Sequence, residues 1–197
     1  MRLITRTVSG RDTVRLEAFS DAVIAIAITL LVLEIQVPHV EHGGELWSAL
    51  GGLWPSYIGY LLSFIMIGIM WANHHNIFKH IERADHYLVL INLLLLLTIG
   101  FFPFTTALLA EYLGKEGERT AVIVYSGSFF LSACDYNLLW FYASWRGRLL
   151  APDTDPAIAS KISKSYRLGP PTSLLAFGLA FVFPPASLML LGLLALL

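Results

Sequence analysis

The sequence predicts an all-α, polytopic membrane protein, and three observations carry that prediction. Of 197 residues, 56% are hydrophobic and only 14% are charged, where a soluble domain carries about a quarter. Mean hydropathy is +0.68. The charges are also clustered: residues 46–78, 87–110, 120–145 apart from Asp135, and 168–197 contain no Asp, Glu, Lys or Arg. Each stretch exceeds the ~20 residues that cross a bilayer core.

The same numbers bound the function. A net charge of −1, with no large basic patch, leaves nucleic acid out as a partner. Cys134 is the single cysteine, so an internal disulfide is impossible. The first apolar run follows a basic segment, as a signal peptide does. It lacks a small-residue cleavage site and ends in Glu34, so it reads as a retained span.

Six helices are predicted, at roughly residues 17–37, 50–74, 86–111, 119–146, 163–182 and 185–197, within one transmembrane domain covering residues 1–197. The first follows Arg15. Pro103 predicts a kink in the third, and Pro170-Pro171 predict a disturbed start for the fifth. Pro184-Pro185 divide the last apolar block, because two consecutive residues there lack a donor. The sixth helix is then short, near ~20 Å of rise. Tyr and Trp at positions 54, 57, 60, 140, 142 and 145 read as interfacial belt residues.

Alternate connections are basic. Arg2, Arg6, Arg11 and Arg15 precede the first helix, Lys79 and Arg83 follow the second, and Arg146, Arg148, Lys161, Lys164 and Arg167 follow the fourth. The first connection carries Glu34, Glu41 and Glu45 with no Lys or Arg. The positive-inside rule then puts both termini in the cytoplasm of a cell-membrane protein.

The first helix carries the most information. It runs uncharged from Ala22 to Leu33. At ~100° per residue, Ile26, Leu30, Leu33 and Val37 share one stripe, edged by Ala22 and Thr29 and continued by Phe19. Asp21 projects on the order of 140° away from Ile26. The stripe serves either packing or a water path. Ser20 and Asp21 serve either as helix N-cap acceptors or as members of a buried polar network.

The run Arg15-x-x-x-Phe19-Ser20-Asp21 before an apolar helix resembles the signature of the transmembrane protein 175 family of potassium channels. Residues 71–78, reading WANHHNIF, together with Asn92 and Phe102-Pro103-Phe104, are similar to its prokaryotic members. The resemblance spans about the first 145 residues and implies a six-helix subunit assembling as a homotetramer in the lipid bilayer. The first helix would line a central pore, with no re-entrant selectivity loop. Ile26 would form the narrow apolar constriction, Leu30 and Leu33 further rings, and Thr29 a polar ring. Ala25 stands where some members carry serine, so that hydroxyl is absent here.

A pore of this kind lacks the carbonyl filter of other potassium channels. Apolar rings gate by dewetting, and Thr29 hydroxyls offer oxygen to a partly stripped ion. The expectation is a modest preference for K⁺ among permeant monovalent cations. Glu34 is either an attractor of cations at the outer end or a solvated helix-end charge.

Candidate partners for Ser20 and Asp21 lie near the end of the second helix: Trp71, Asn73, His74 and His75. We expect the Arg15, Phe19, Ser20 and Asp21 entrance to anchor the first helix within its own subunit, together with Trp71, His74 and His75, with Ser20 and Asp21 bonding Trp71 and one of the two histidines. Arg15 is expected to bond helix-end carbonyls or Asp135, or to face lipid headgroups. Asp135 itself reads as a structural pairing with Tyr136, Asn137 or a neighbouring helix.

His74, His75, His80 and His86 form one cluster without a metal-binding box, so no metal, cofactor or enzyme chemistry is expected. The alternative function is a proton-coupled secondary transporter using Asp21, Asp135 and the histidines. Against it stands the missing inverted repeat.

Overall fold

The computed structural model describes residues 10–40 and 45–195. Arg2, Arg6, the Arg11 side chain, Glu41 and the last two residues of the predicted sixth helix lie outside the described residues. The described residues form eight α-helices joined by short connections: α1 Gly10–Leu30, α2 Leu46–Gly52, α3 Trp54–Phe78, α4 His86–Gly100, α5 Phe102–Tyr112, α6 Glu118–Ser144, α7 Pro156–Val182 and α8 Pro184–Leu194. Among the described residues four stretches are long and apolar enough to cross a membrane: Asp12–Glu34, Trp54–Phe78, His86–Tyr112 and Glu118–Gly147.

Several boundaries differ from the sequence expectation, each for a local reason. The first helix starts at Gly10 rather than 17. It tightens into a 3₁₀ turn at Leu31–Glu34, and Ile35 is extended with ψ 91°. Pro38 follows shortly and disfavours further helix. The second span begins at Trp54, with Pro55 in its first turn, and continues past the histidines because Ile77 and Phe78 are buried. The predicted third helix is two, meeting at Phe101, and Pro103 occupies the first turn of α5.

The fifth helix departs furthest. It begins at Pro156, capped by the Asp155 carboxylate on the Ala157 amide, and carries Pro170 and Pro171 in its interior. Pro170 removes the donor that would reach the Tyr166 carbonyl. The Asn137 side-chain amide of α6 donates to that carbonyl instead. Thr172 and Ser173 hydroxyls donate to carbonyls at Leu168 and Gly169, on the same broken turn. Prolines persist in membrane helices where neighbouring groups satisfy the backbone in this way.

α6 is the central element. It packs against α4, α5, α7 and α8, burying Val122, Tyr125, Phe129 and Leu139. A buried hydroxyl triad ties three helices: Ser63 of α3 lies 2.7 Å from Thr106 of α5 and 2.9 Å from Tyr125 of α6. By contrast α1 leans mainly on α3 and α4, with a few contacts to α5.

At the end where α3 and α6 finish, two connections are seamed by main-chain bonds. The Glu82 amide donates to the Leu149 carbonyl at 3.0 Å, and the Ala151 amide to the His80 carbonyl at 3.0 Å. Asp85 caps α4 through the Leu88 amide and also accepts from Tyr142 and Arg148, each at 2.7 Å. Thr13 of α1 donates to the Glu82 carbonyl at 3.1 Å, which joins the first helix to this seam.

Candidate functional site

α1 has two faces. Thr13, Leu16, Ser20, Ile24, Ala27 and Leu31 are buried against the chain's own helices. Phe19, Ala22, Ala25, Ile26, Thr29, Leu30 and Leu33 are exposed on the single chain. The exposed set recurs every three to four residues, so it forms a continuous stripe. Ile26 is 58% and Leu33 69% exposed, although both are apolar, Ile26 within α1 and Leu33 in the turn that ends it. The stripe's one hydroxyl, on Thr29, donates to the Ile26 carbonyl at 2.9 Å. Its oxygen lone pairs are left pointing outward as acceptors.

The polar side of the same helix meets α3 by matched spacing. Glu17, Ser20 and Asp21 stand at i, i+3 and i+4, opposite Trp71, His74 and His75 at i, i+3 and i+4. The Trp71 indole N–H donates to Asp21 at 3.0 Å, and the Trp71 ring stacks on His75. His75 Nδ1 donates to Glu17 at 2.9 Å.

Among the described residues Ser20 forms no hydrogen bond to a histidine. It bonds Asn92 of α4, whose amide donates to Ser20 Oγ at 2.8 Å. Ser20 in turn donates to the Leu16 carbonyl at 2.8 Å. The Asn92 oxygen, 2.9 Å from His74 Nε2, must then accept, which places a proton on Nε2. His74 Nδ1 is buried without a hydrogen-bond partner among the described residues, with the ring stacked on Phe78 at 4.3 Å.

The structure therefore brings together Ser20, Asp21, Trp71, His74 and His75, and adds Glu17 and Asn92. Glu17 was legible as the residue one turn below Asp21. Asn92 had only its resemblance to family members as a signal. Arg15 and Phe19 lie elsewhere. Arg15 sits eleven residues from Ile26, three turns away and about 20° off its direction, so it faces outward. Its closest ion-pair partner is Asp12 at 4.0 Å, with the Arg15 side chain 85% exposed. Phe19 is exposed on the same stripe.

Asp135 pairs with a neighbouring helix and not with Arg15. Thr98 of α4 donates to it at 2.7 Å. Glu34 lines a cavity with Gln36, Glu111 and Tyr112. Among the described residues no three His, Cys, Asp or Glu side chains converge as metal ligands.

Residues 15–103 match the family model described as the endosomal/lysosomal potassium channel TMEM175. A potassium channel of Chamaesiphon minutus is 51% identical over 174 residues, covering 87% of this chain and 85% of the relative. The chain belongs to the TMEM175 family. A second relative, a potassium channel of Streptomyces collinus, is 45% identical over 183 residues, covering 92% of this chain and 89% of the relative. The fold agrees as well. A crystal structure of a lysosomal potassium-selective channel TMEM175 homologue from Chamaesiphon minutus superposes with a TM-score of 0.86, at 46% identity over 94% of this chain and 95% of that one.

Proposed function

We propose that the chain is one subunit of a homotetrameric, potassium-preferring cation channel of the cell membrane. The observation that carries the reading is the exposed stripe of α1. An apolar helix anchored on its polar side by seven side chains from three helices presents Ile26, Thr29, Leu30 and Leu33 away from its own subunit. The relatives from Streptomyces collinus and Chamaesiphon minutus are named potassium channels, which supports K⁺ as the permeant ion.

Four copies of such a helix around an axis form an apolar tube narrow at Ile26, Leu30 and Leu33. Water leaves such a constriction readily when it is tight, which closes it without a moving lid. When it is wider, an ion passes with part of its hydration. The Thr29 oxygens then supply acceptors in the only polar ring of the stripe. K⁺ holds its water less tightly than Na⁺, so partial stripping favours it. The subunit works with no cofactor and no enzyme chemistry.

Six crossings with both termini in the cytoplasm fit the basic connections. α1, α3, α4 with α5, and α6 supply four, and α7 and α8 the remaining two. Lys79, Arg83, Arg146, Arg148 and Lys161 then lie on the cytoplasmic side.

Rubidium or potassium flux into proteoliposomes tests the reading, comparing wild type with Ile26→Asn. The polar ring should raise flux and reduce discrimination against Na⁺. An Ile26→Asn protein with unchanged flux and selectivity removes Ile26 from the constriction. Absence of cation flux in a well-folded wild type refutes the channel.

A further inference from the structure

We propose that the groove between α3 and α7 is a binding site for one anionic phospholipid of the leaflet at the basic end of the molecule. The proposal rests on the membrane embedding and not on conduction. Two cavities, of about 240 and about 290 Å³, meet at Asn73, Ser165 and Tyr166. The Tyr166 hydroxyl, donating to the Asn73 carbonyl at 3.2 Å, crosses between them.

Their chemistry changes along the groove. The cavity at the end of α3 is lined by Asn73, Asn76, His80, Lys161 and Ser165, and no described residue lining it is Asp or Glu. The deeper cavity turns apolar, with Met66, Ile69, Phe129, Leu191 and Leu194 among its walls. A cationic, donor-rich mouth above an apolar trough matches an anionic phosphate ester joined to an acyl chain. The length matches too. From Lys161 to Thr172 the helix rises about 16 Å, against about 15 Å for one leaflet's hydrocarbon.

The groove faces outward, because Ile69, Lys161 and Ser165 are all exposed. Lys161 lies where a basic side chain meets the lipid phosphate layer, an attraction worth about a fivefold change in binding. A chain seated here would cover the backbone around Pro170-Pro171, where α7 keeps its helical path through borrowed hydrogen bonds.

Native mass spectrometry of the intact detergent-solubilised protein tests this, with phosphatidylglycerol, phosphatidylcholine and inorganic phosphate as separate probes. Phosphatidylglycerol should be retained in preference to phosphatidylcholine. Lys161→Gln should weaken its binding about fivefold, and Ser165→Trp, an exposed position that the indole fills, should abolish it. Lys115→Gln, at the opposite end of the molecule, should bind as wild type.

Equal retention of phosphatidylglycerol by Ser165→Trp overturns the site. So does phosphatidylcholine binding as tightly, or inorganic phosphate displacing the lipid without an acyl chain. If Ser165→Trp splits the assembly while lipid stays bound, the groove is a subunit contact and the proposal fails. None of these readouts uses flux, so the outcome is independent of the Ile26→Asn experiment.

Discussion

Asn137 on α6 donates its side-chain amide to the main-chain carbonyl of Tyr166 on α7, the acceptor that Pro170 deprives of its helical partner. One side chain thus repairs another helix. Asn137→Leu should destabilise the protein by about 1–2 kcal/mol, because the carbonyl is then left without a donor in an apolar setting. In a Pro170→Ala background the alanine amide restores the helical bond, and the same substitution should cost less than half as much. Thermal unfolding of the four variants in detergent measures the coupling. Additive losses would refute the repair.

Asn92 joins three helices through one amide, accepting a hydrogen bond from His74 and donating one to Ser20. Asn92→Leu removes both bonds at once, leaving the buried His74 Nε2 proton without its acceptor and Ser20 with only its bond to the Leu16 carbonyl. The expected loss is about 2–3 kcal/mol, at the upper range for a buried partner removed. His74→Leu in the Asn92→Leu background should recover part of it, since apolar groups then face each other. An Asn92→Leu protein that melts as wild type would show the relay carries no stability.

Asp21 and Trp71 are coupled by a single hydrogen bond between α1 and α3. Asp21→Leu, Trp71→Phe and the double variant form a cycle with an expected interaction of about 0.5–1.5 kcal/mol. Asp21→Asn keeps an oxygen that accepts from the indole, so it should lose much less than Asp21→Leu. Cation flux should fall in Asp21→Leu more than in Asp21→Asn if the bond holds the pore helix in place. Equal flux in all three would separate the anchor from conduction.

Asp135 distinguishes a channel from a proton-coupled carrier. Its neighbour Thr98 donates to it, an arrangement that an amide oxygen reproduces. Asp135→Asn should leave rubidium flux within about twofold of wild type, since the bond survives and no proton need move. Flux that collapses in Asp135→Asn, or that follows an imposed proton gradient in wild type, would favour coupled transport.

The two faces of the first helix were legible in the sequence because helical periodicity is a local property. Ile26, Leu30 and Leu33 share a side whatever surrounds them. Partner choice was not legible in the same way. Periodicity put Ser20 and Asp21 on the polar side and left open which side chains would meet them. His74 and His75 are adjacent in sequence yet face different helices. His74 turns to Asn92 on α4, and His75 to Glu17 on α1. The course of α7 through Pro170-Pro171 depends on Asn137, thirty-three residues earlier, and no local rule connects those positions. For Arg15 the charge suggested either a polar partner or an outward position, and its angle on the helix puts it on the outward side.

The seven side chains that hold α1 all belong to the same chain, and so does the Thr13 bond to the connection beyond α3. Their consequence concerns the order of events in biogenesis. The first helix emerges from the ribosome before any of its partners, and becomes fixed once α3 and α4 have been inserted beside it. What later meets the outward side of α1 therefore meets a finished surface, one that needs no further folding of α1.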